Sequence, residues 1–155
     1  MARVLALDDD RLVQRLIGVT ASELGHEALA ASTLAEGLAL CRNGGCDVVF
    51  LDVLLPDGNG LERIPELRAL PDPPEIVIVT GHGDAAGADL AIRHGAWDFL
   101  TKPLSLDNLR LILERVVAFR RQRQNAATDL RELRSIVGES PALRACLDAA
   151  AQAAA

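Results

Sequence analysis

Short unbroken apolar runs alternate along the chain with longer stretches whose apolar residues recur at helical spacing. Val4 to Leu7, Val48 to Leu51 and Ile76 to Val79 are continuous apolar tetrads, the pattern of strands buried on both faces of a sheet. His26 to Ala31 is a weaker strand pattern and Asp98 to Thr101 a short one. From Arg11 to Leu24, the residues Leu12, Leu16, Val19 and Ala21 fall near helical spacing. Thr33 and Glu36 form a capping-box pattern ahead of a helix holding Leu34, Leu38 and Cys41, and Asn43-Gly44-Gly45 ends it. The run Pro56-Asp57-Gly58-Asn59-Gly60 has strong turn chemistry, and a helix is predicted over Leu61 to Leu70, stopped by Pro71 to Pro74. A Gly-rich stretch from Gly81 to Gly87 leads into a helix ending at His94-Gly95, and a long helical pattern starts near Leu106.

Five β–α units in strict alternation predict an α/β fold, a doubly wound five-stranded parallel sheet covered by helices on both faces. Right-handed crossovers leave few topologies, and at this size the flavodoxin-like strand order 2-1-3-4-5 is favoured, with an extended C-terminal linker helix. Ligand groups in such a sheet gather at the carboxyl ends of the strands, beside the switch between strands 1 and 3. Strand 1 runs into Asp8-Asp9-Asp10, strand 3 into Asp52, strand 4 into Thr80-Gly81 and strand 5 into Thr101-Lys102-Pro103. One Asp after a strand is commonly a helix cap, but these groups converge on one rim. Three carboxylates within ~4–6 Å repel by several kcal/mol per pair at an effective dielectric near 20. A hard divalent cation relieves that repulsion, and Mg²⁺ suits a few carboxylates, retained waters and a phosphate oxygen. Asp10 reads as the charge or cap at the start of the next helix rather than as a third ligand.

Composition narrows the chemistry. The chain has 155 residues, 50% hydrophobic and 25% charged, which is globular. With 3% aromatics, no Tyr and a formal charge of −6, it suits neither a stacking platform for single strands nor whole-chain nucleic-acid binding. The charge is uneven: residues 1–104 carry 8 Lys/Arg and 16 Asp/Glu, whereas residues 105–155 carry 8 and 6. Of the 16 cationic side chains, Lys102 alone is Lys, and its slim stem suits a phosphate as a point charge. The Pro103 that follows predicts a rigid turn aiming it, a cis bond being one way to make it. Cys41, Cys46 and Cys146 show no C-x-x-C spacing and read as reduced thiols. His26, His82 and His94 lack metal-ligand spacing. No signal peptide opens the chain and no apolar stretch reaches the ~18 residues of a membrane span, so a cytoplasmic protein without membrane contact is expected.

The strings L-A-L-D-D-D at 5–10, V-F-L-D-V-L-L-P-D-G-N-G at 49–60, I-V-T-G at 78–81 and G-A-W-D-F-L-T-K-P at 95–103 together resemble the receiver domain of two-component response regulators, over about residues 2 to 118. The resemblance implies the CheY-like version of the fold and a regulatory phosphoacceptor rather than an enzyme with turnover. It implies Asp52 as the residue phosphorylated by a sensor histidine kinase. Asp8, Asp9, Asp52 and the backbone carbonyl of Leu54 become the Mg²⁺ site, Asp8 partly through water. It makes Thr80 the switch hydroxyl, Lys102 the partner of the phosphoryl oxygens and Phe99 the switch aromatic. Phe99 has no hydroxyl, so a hydrogen-bonding version of that switch is ruled out, and Leu104 stands where many relatives place Phe. An aspartate-nucleophile phosphatase would use Asp8 and Asp10 as its D-x-D. Arg11-Leu12 then lacks the expected small and hydroxyl residues, and Asp52 is unexplained. A pseudo-receiver acting as a binding module is opposed by the complete acidic set. A dinucleotide domain is opposed by the lack of G-x-G-x-x-G after strand 1.

From Ile112 a 4-3 spacing continues through Val116, Phe119, Arg123, Ala126, Leu130, Leu133 and Val137. It predicts a parallel homodimer through a helix from Leu106 to Arg134, with Leu130 and Leu133 as the seam and Phe119 at the neck. Across that seam Asp129 would face Arg134, and Arg115 would face Arg120. The string I-V-G-E-S-P-A-L-R at 136–144 resembles the opening of the AAA+ ATPase domain of sigma-54-dependent transcription activators of the nitrogen-regulator type. The expected organisation is a receiver domain at 1–118, a linker helix at 119–135 and the truncated start of the ATPase domain at 136–155. No G-x-x-x-x-G-K-[ST] loop and no helix-turn-helix pattern is present, so sigma-54 RNA polymerase and DNA would be reached through further domains outside this chain.

Overall fold

The structure is a computed structural model that describes residues 1–81, 92–93 and 95–136, with side chains up to 129. The readings of the 82–91 segment, His82, His94, Cys146, Val137 and the ATPase-like string from 137 onward lie outside the described residues, as do the side chains of Leu130 and Leu133. The chain divides into two compact units, Met1–Arg120 and Arg121–Ala155.

In the first unit, strands β1 (Arg3–Leu7), β2 (Glu27–Ala31), β3 (Val48–Asp52), β4 (Glu75–Thr80) and β5 (Asp98–Thr101) form a parallel sheet. Their order is β2-β1-β3-β4-β5, as the alternation of elements predicts. Leu7 pairs with both Ala31 and Leu51, Asp52 with Val79, and Thr80 with Thr101. That register sets Asp8 and Asp52, each one step past the Leu7–Leu51 pair, side by side.

The period of two sorts each strand onto two faces. Leu5, Leu7, Val49, Leu51, Ile76 and Ile78 pack under helices α2 (Leu34–Gly44) and α3 (Ile64–Arg68). Val4, Ala6, Val48, Phe50, Val77, Val79 and Leu100 pack under helices α1 (Arg11–Glu23) and α4 (Leu106–Ile136). Among the described residues no helix is long and apolar enough to cross a membrane.

Helix starts follow the expected caps. The Asp10 side chain accepts from the Leu12 N–H at 2.8 Å, so Asp10 is the N-cap of α1. Thr33 accepts from the Glu36 N–H at 3.2 Å, and Glu36 reaches back to the Ser32 N–H at 3.0 Å. The Asp57 carboxylate adds a long-range cap, accepting from the N–H groups of Leu34 at 2.8 Å and Ala35 at 3.0 Å.

Three expectations need correction. The helix predicted over Leu61 to Leu70 is a 3-10 turn, Gly60–Arg63, followed by the five-residue α3. Pro65 sits in the first turn of α3, where its missing N–H costs nothing, and upstream the loop folds into a ribbon pairing Leu54–Leu55 with Gly58–Asn59. Second, the start of the 4-3 spacing, Ile112 and Val116, reads as the stripe that packs back on the sheet, but α4 packs through Leu109, Leu113, Val116 and Val117 and Ile112 is only half-buried. Burying Leu109 and Leu113 fully contributes roughly 1.5–3 kcal/mol each. Third, Arg120 is 2% exposed and cannot face a partner helix. It pairs with Asp47 at 3.4 Å and Asp72 at 2.6 Å and donates to the Pro73 carbonyl. Arg115 lies 5.6 Å over the Trp97 ring, which also meets Phe119 at 6.1 Å. Phe119 thus contacts Trp97 within the first unit while staying 41% exposed, and residues 121–129 are all exposed.

Candidate functional site

The carboxyl ends of β1, β3, β4 and β5 carry the polar groups expected there. Asp8 follows β1 and is 1% exposed; Asp52 ends β3 and is 6% exposed; Asp9 is exposed. One oxygen from each of the three carboxylates lies within 4.8 Å of the others. Lys102 follows β5, its backbone N–H donating to the Thr80 carbonyl at 2.7 Å, which continues the β4–β5 ladder by one residue. Its ammonium reaches Asp52 Oδ2 at 2.7 Å and Asp8 Oδ2 at 2.8 Å, bridging the two strand ends. The Lys102–Pro103 peptide is cis.

Electrostatics follow from this packing. Burial pushes the Asp8 carboxyl above its ordinary range, against the opposing pull of the Lys102 bond and the Asp10 N–H, which donates to Asp8 Oδ1 at 2.9 Å. Burial alone would lower the Lys102 ammonium, but its bonds to Asp52 and Asp8 outweigh that and raise it. Lys102 is therefore charged at neutral pH. Three carboxylates against one ammonium, among the described residues, leave two negative charges on hard oxygen donors. That donor set fits a divalent cation of the Mg²⁺ class, with Asp8, Asp9 and Asp52 as the groups that would hold it.

The remaining expected residues are placed as follows. Thr80 is 1% exposed, and its hydroxyl donates to the Gly81 carbonyl at 2.9 Å. Phe99 is 40% exposed beside a cavity of about 330 Å³ that Leu111, Ile112 and Arg115 also line. Leu54 lies in the short ribbon, with its N–H 3.4 Å from Asp52 Oδ1.

Two supporting residues were not singled out from the sequence. Gly60 backs directly onto Asp52: a Cβ there would come 2.2 Å from the Asp52 carbonyl oxygen, so no larger residue fits. Its N–H also donates to the Val53 carbonyl at 2.8 Å, closing the loop that follows the phosphoacceptor candidate. Gln14, on α1, donates from its side-chain amide to the Asp8 carbonyl at 2.6 Å. The signal for Gln14 was present in principle, as a long polar side chain one turn beyond the cap Asp10.

Comparison with known proteins places the chain in a family and a fold. The response regulator receiver domain family matches residues 4–114. The alginate biosynthesis transcriptional regulatory protein AlgB of Pseudomonas aeruginosa is 32% identical, over 99% of this chain and 35% of AlgB. Among solved structures, NtrX from Brucella abortus in complex with ADP superposes with a TM-score of 0.74 at 33% identity, over 84% of this chain and 29% of NtrX. The beryllofluoride-activated NtrC4 receiver domain dimer gives a TM-score of 0.72 at 31% identity, over 77% of this chain and 99% of that receiver. The chain spans 29–35% of the length of curated relatives such as AtoC of Escherichia coli and AlgB.

Proposed function

Because this chain belongs to the response regulator receiver domain family, we propose that it accepts a phosphoryl group on Asp52 from the phosphohistidine of a sensor histidine kinase. The observation that carries the reading is the Lys102 ammonium bridging buried Asp8 and Asp52 on the rim where the strands end. An Asp52 carboxylate oxygen attacks phosphorus in line, a P–O bond forms and the P–N bond to the donor imidazole breaks. Such a transfer needs positioning and charge neutralisation more than acid–base chemistry. Lys102 supplies positive charge from the Asp8–Asp52 bridge and can follow the phosphoryl oxygens on its flexible stem. Mg²⁺ held by Asp8, Asp9, Asp52 and the Leu54 carbonyl would supply the rest of the neutralisation when bound. A cleft of about 470 Å³ opens between the start of α1 and the turn after β5, lined by Asp10, Leu12, Leu16, Lys102 and Leu104.

The new acyl phosphate offers acceptor oxygens to Thr80, whose hydroxyl exchanges its bond to the Gly81 carbonyl for one to the phosphoryl group. Phe99 responds as the switch aromatic. This is a local charge biasing a two-state element. The domain acts in a cytoplasmic two-component phosphorelay as a regulatory phosphoprotein domain without turnover of its own. Its output is transcription regulation through homodimerisation by the last helix and linker, controlling a sigma-54-dependent activator. The transcriptional regulators among its relatives support that reading, as does the run of exposed residues at 121–129.

Incubation with acetyl phosphate and Mg²⁺ tests the central claim. One phosphoryl group should appear by intact mass and be lost in Asp52→Asn. Equal labelling of that variant would move the acceptor elsewhere.

A further inference from the structure

Asp8 and Asp9 are joined by a single peptide unit, and that unit is held by a side chain from another element. The Gln14 amide nitrogen donates to the Asp8 carbonyl at 2.6 Å, the Ser32 hydroxyl at 3.0 Å and the Ala31 carbonyl at 3.1 Å. An amide nitrogen has two hydrogens for these three acceptors, and the Asp8 carbonyl lies nearest. The Ala31 carbonyl also accepts from the Asp8 N–H at 3.1 Å. The peptide groups on both sides of Asp8 are therefore tied to the end of β2, one directly and one through Gln14.

Planarity makes this consequential. The Asp8 carbonyl shares its plane with the Asp9 N–H, so fixing that oxygen fixes how the chain turns from Asp8 into Asp9. The turn sets the angle between a buried carboxylate, pointing to Lys102, and an exposed one. Asp8 has further anchors in the Asp10 N–H and Lys102. For Asp9 the structure supplies direction through this peptide plane.

We propose that Gln14 is a positioning residue for the acidic pair: it sets the Asp8–Asp9 peptide so that both carboxylates address one cation, and so tunes Mg²⁺ affinity without touching the metal or the phosphoryl group. The inference rests on the phosphoacceptor reading above. Groups that orient metal ligands are worth about tenfold or more in affinity. Replacing Gln14 by Leu keeps the bulk, removes both donors and leaves the Asp8 carbonyl without its side-chain partner.

The test is Mg²⁺ binding by titration calorimetry at a temperature where each variant is folded. It compares wild type, Gln14→Leu and Leu67→Ala, the last being a core truncation on the opposite face of the sheet. Wild type should bind, Gln14→Leu should bind about tenfold more weakly, and Leu67→Ala should match wild type despite a lower melting temperature. Phosphorylation by acetyl phosphate should be slow in Gln14→Leu at low Mg²⁺ and approach the wild-type rate at saturating Mg²⁺. Unchanged affinity in Gln14→Leu, or an equal loss in Leu67→Ala, would overturn the positioning role while leaving the site intact. Failure of the wild type to bind Mg²⁺ would instead overturn the reading of the site itself, and the role of Gln14 with it.

Discussion

At the amino-terminal ends of the strands, Arg3, Arg68 and Arg120 meet Glu27, Asp47, Asp72 and Glu75. At the carboxyl ends, the Lys102 ammonium meets Asp8 and Asp52, with Asp9 beside them. Both rims bury charge, but the first nearly balances it with guanidinium groups. Arg3 donates from Nε to Glu27 at 3.1 Å and from Nη1 to the Gly45 carbonyl at 2.8 Å, while its backbone N–H reaches Asp47 at 2.8 Å. Planar guanidinium forks fix several acceptors at once and hold one geometry. The other rim leaves negative charge in excess and balances part of it with a flexible point charge that can re-pair. The first arrangement stabilises a fold; the second is the one that the proposed function uses for a cation and a phosphoryl group in turn.

Removing the cation from each rim should separate these roles most clearly. Lys102→Met leaves Asp8 and Asp52 facing each other, so phosphorylation by acetyl phosphate should slow about a hundredfold. Its stability without metal should fall by about 2–3 kcal/mol, and Mg²⁺ should restore much of that, since it replaces the lost positive charge. Arg120→Met should lose about 2 kcal/mol in urea unfolding, below the usual loss for breaking a buried pair because Asp72 is largely exposed and regains water. Its loss should be indifferent to Mg²⁺ and its phosphorylation near that of wild type. Equal metal responses in the two variants would erase the distinction between the rims.

Much of this contrast could be read from the sequence on one rim and little on the other. Asp8, Asp52, Thr80 and Lys102 each stand at or just past the end of an apolar run, so strand order alone brings them together. Arg120 carries no such mark: its partners Asp47, Asp72 and Pro73 lie 47 or more residues away. In the sequence it reads as one more charge on an amphipathic helix. The 4-3 spacing likewise favours Ile112 and Phe119, whereas the sheet takes Leu109 and Leu113. A sliding helical pattern has several apolar stripes, and the partner surface decides between them. Gly60 was legible as turn chemistry but not as the backing of Asp52, because the close approach is made across the loop.

An effect of opposite sign is expected from the acidic cluster's own repulsion. At a hundred times its dissociation constant, Mg²⁺ should stabilise the wild type by about 2.7 kcal/mol. Asp9→Asn should lose most of that shift and, by removing one of three like charges, be slightly more stable than wild type in metal-free buffer. The two melting curves should therefore exchange order on adding millimolar Mg²⁺. If Asp9→Asn were the less stable protein under both conditions, Asp9 would belong with the fold-stabilising charges of the opposite rim.

The smallest effect concerns a carboxylate at the carboxyl-end rim that does not belong to the site. Asp57 is at the surface, and the N–H groups of Leu34 and Ala35 at the start of α2 hold its carboxyl below the ordinary range. A folded-state value below the unfolded one means that the ionised form stabilises the fold. That contribution is complete above the unfolded carboxylate range and is lost as pH falls through the lowered folded value. Asp57→Ala should therefore melt slightly below wild type at neutral pH, the gap closing as the solution is acidified. Because α2 is capped from a loop rather than through the metal cluster, the gap at neutral pH should be the same with and without Mg²⁺. Melting curves of the two proteins between neutral and strongly acidic pH check this. A gap that Mg²⁺ abolishes would place Asp57 in the electrostatics of the candidate site around Asp52, and a gap that widens in acid would mean that the α2 amides do not hold its ionised form.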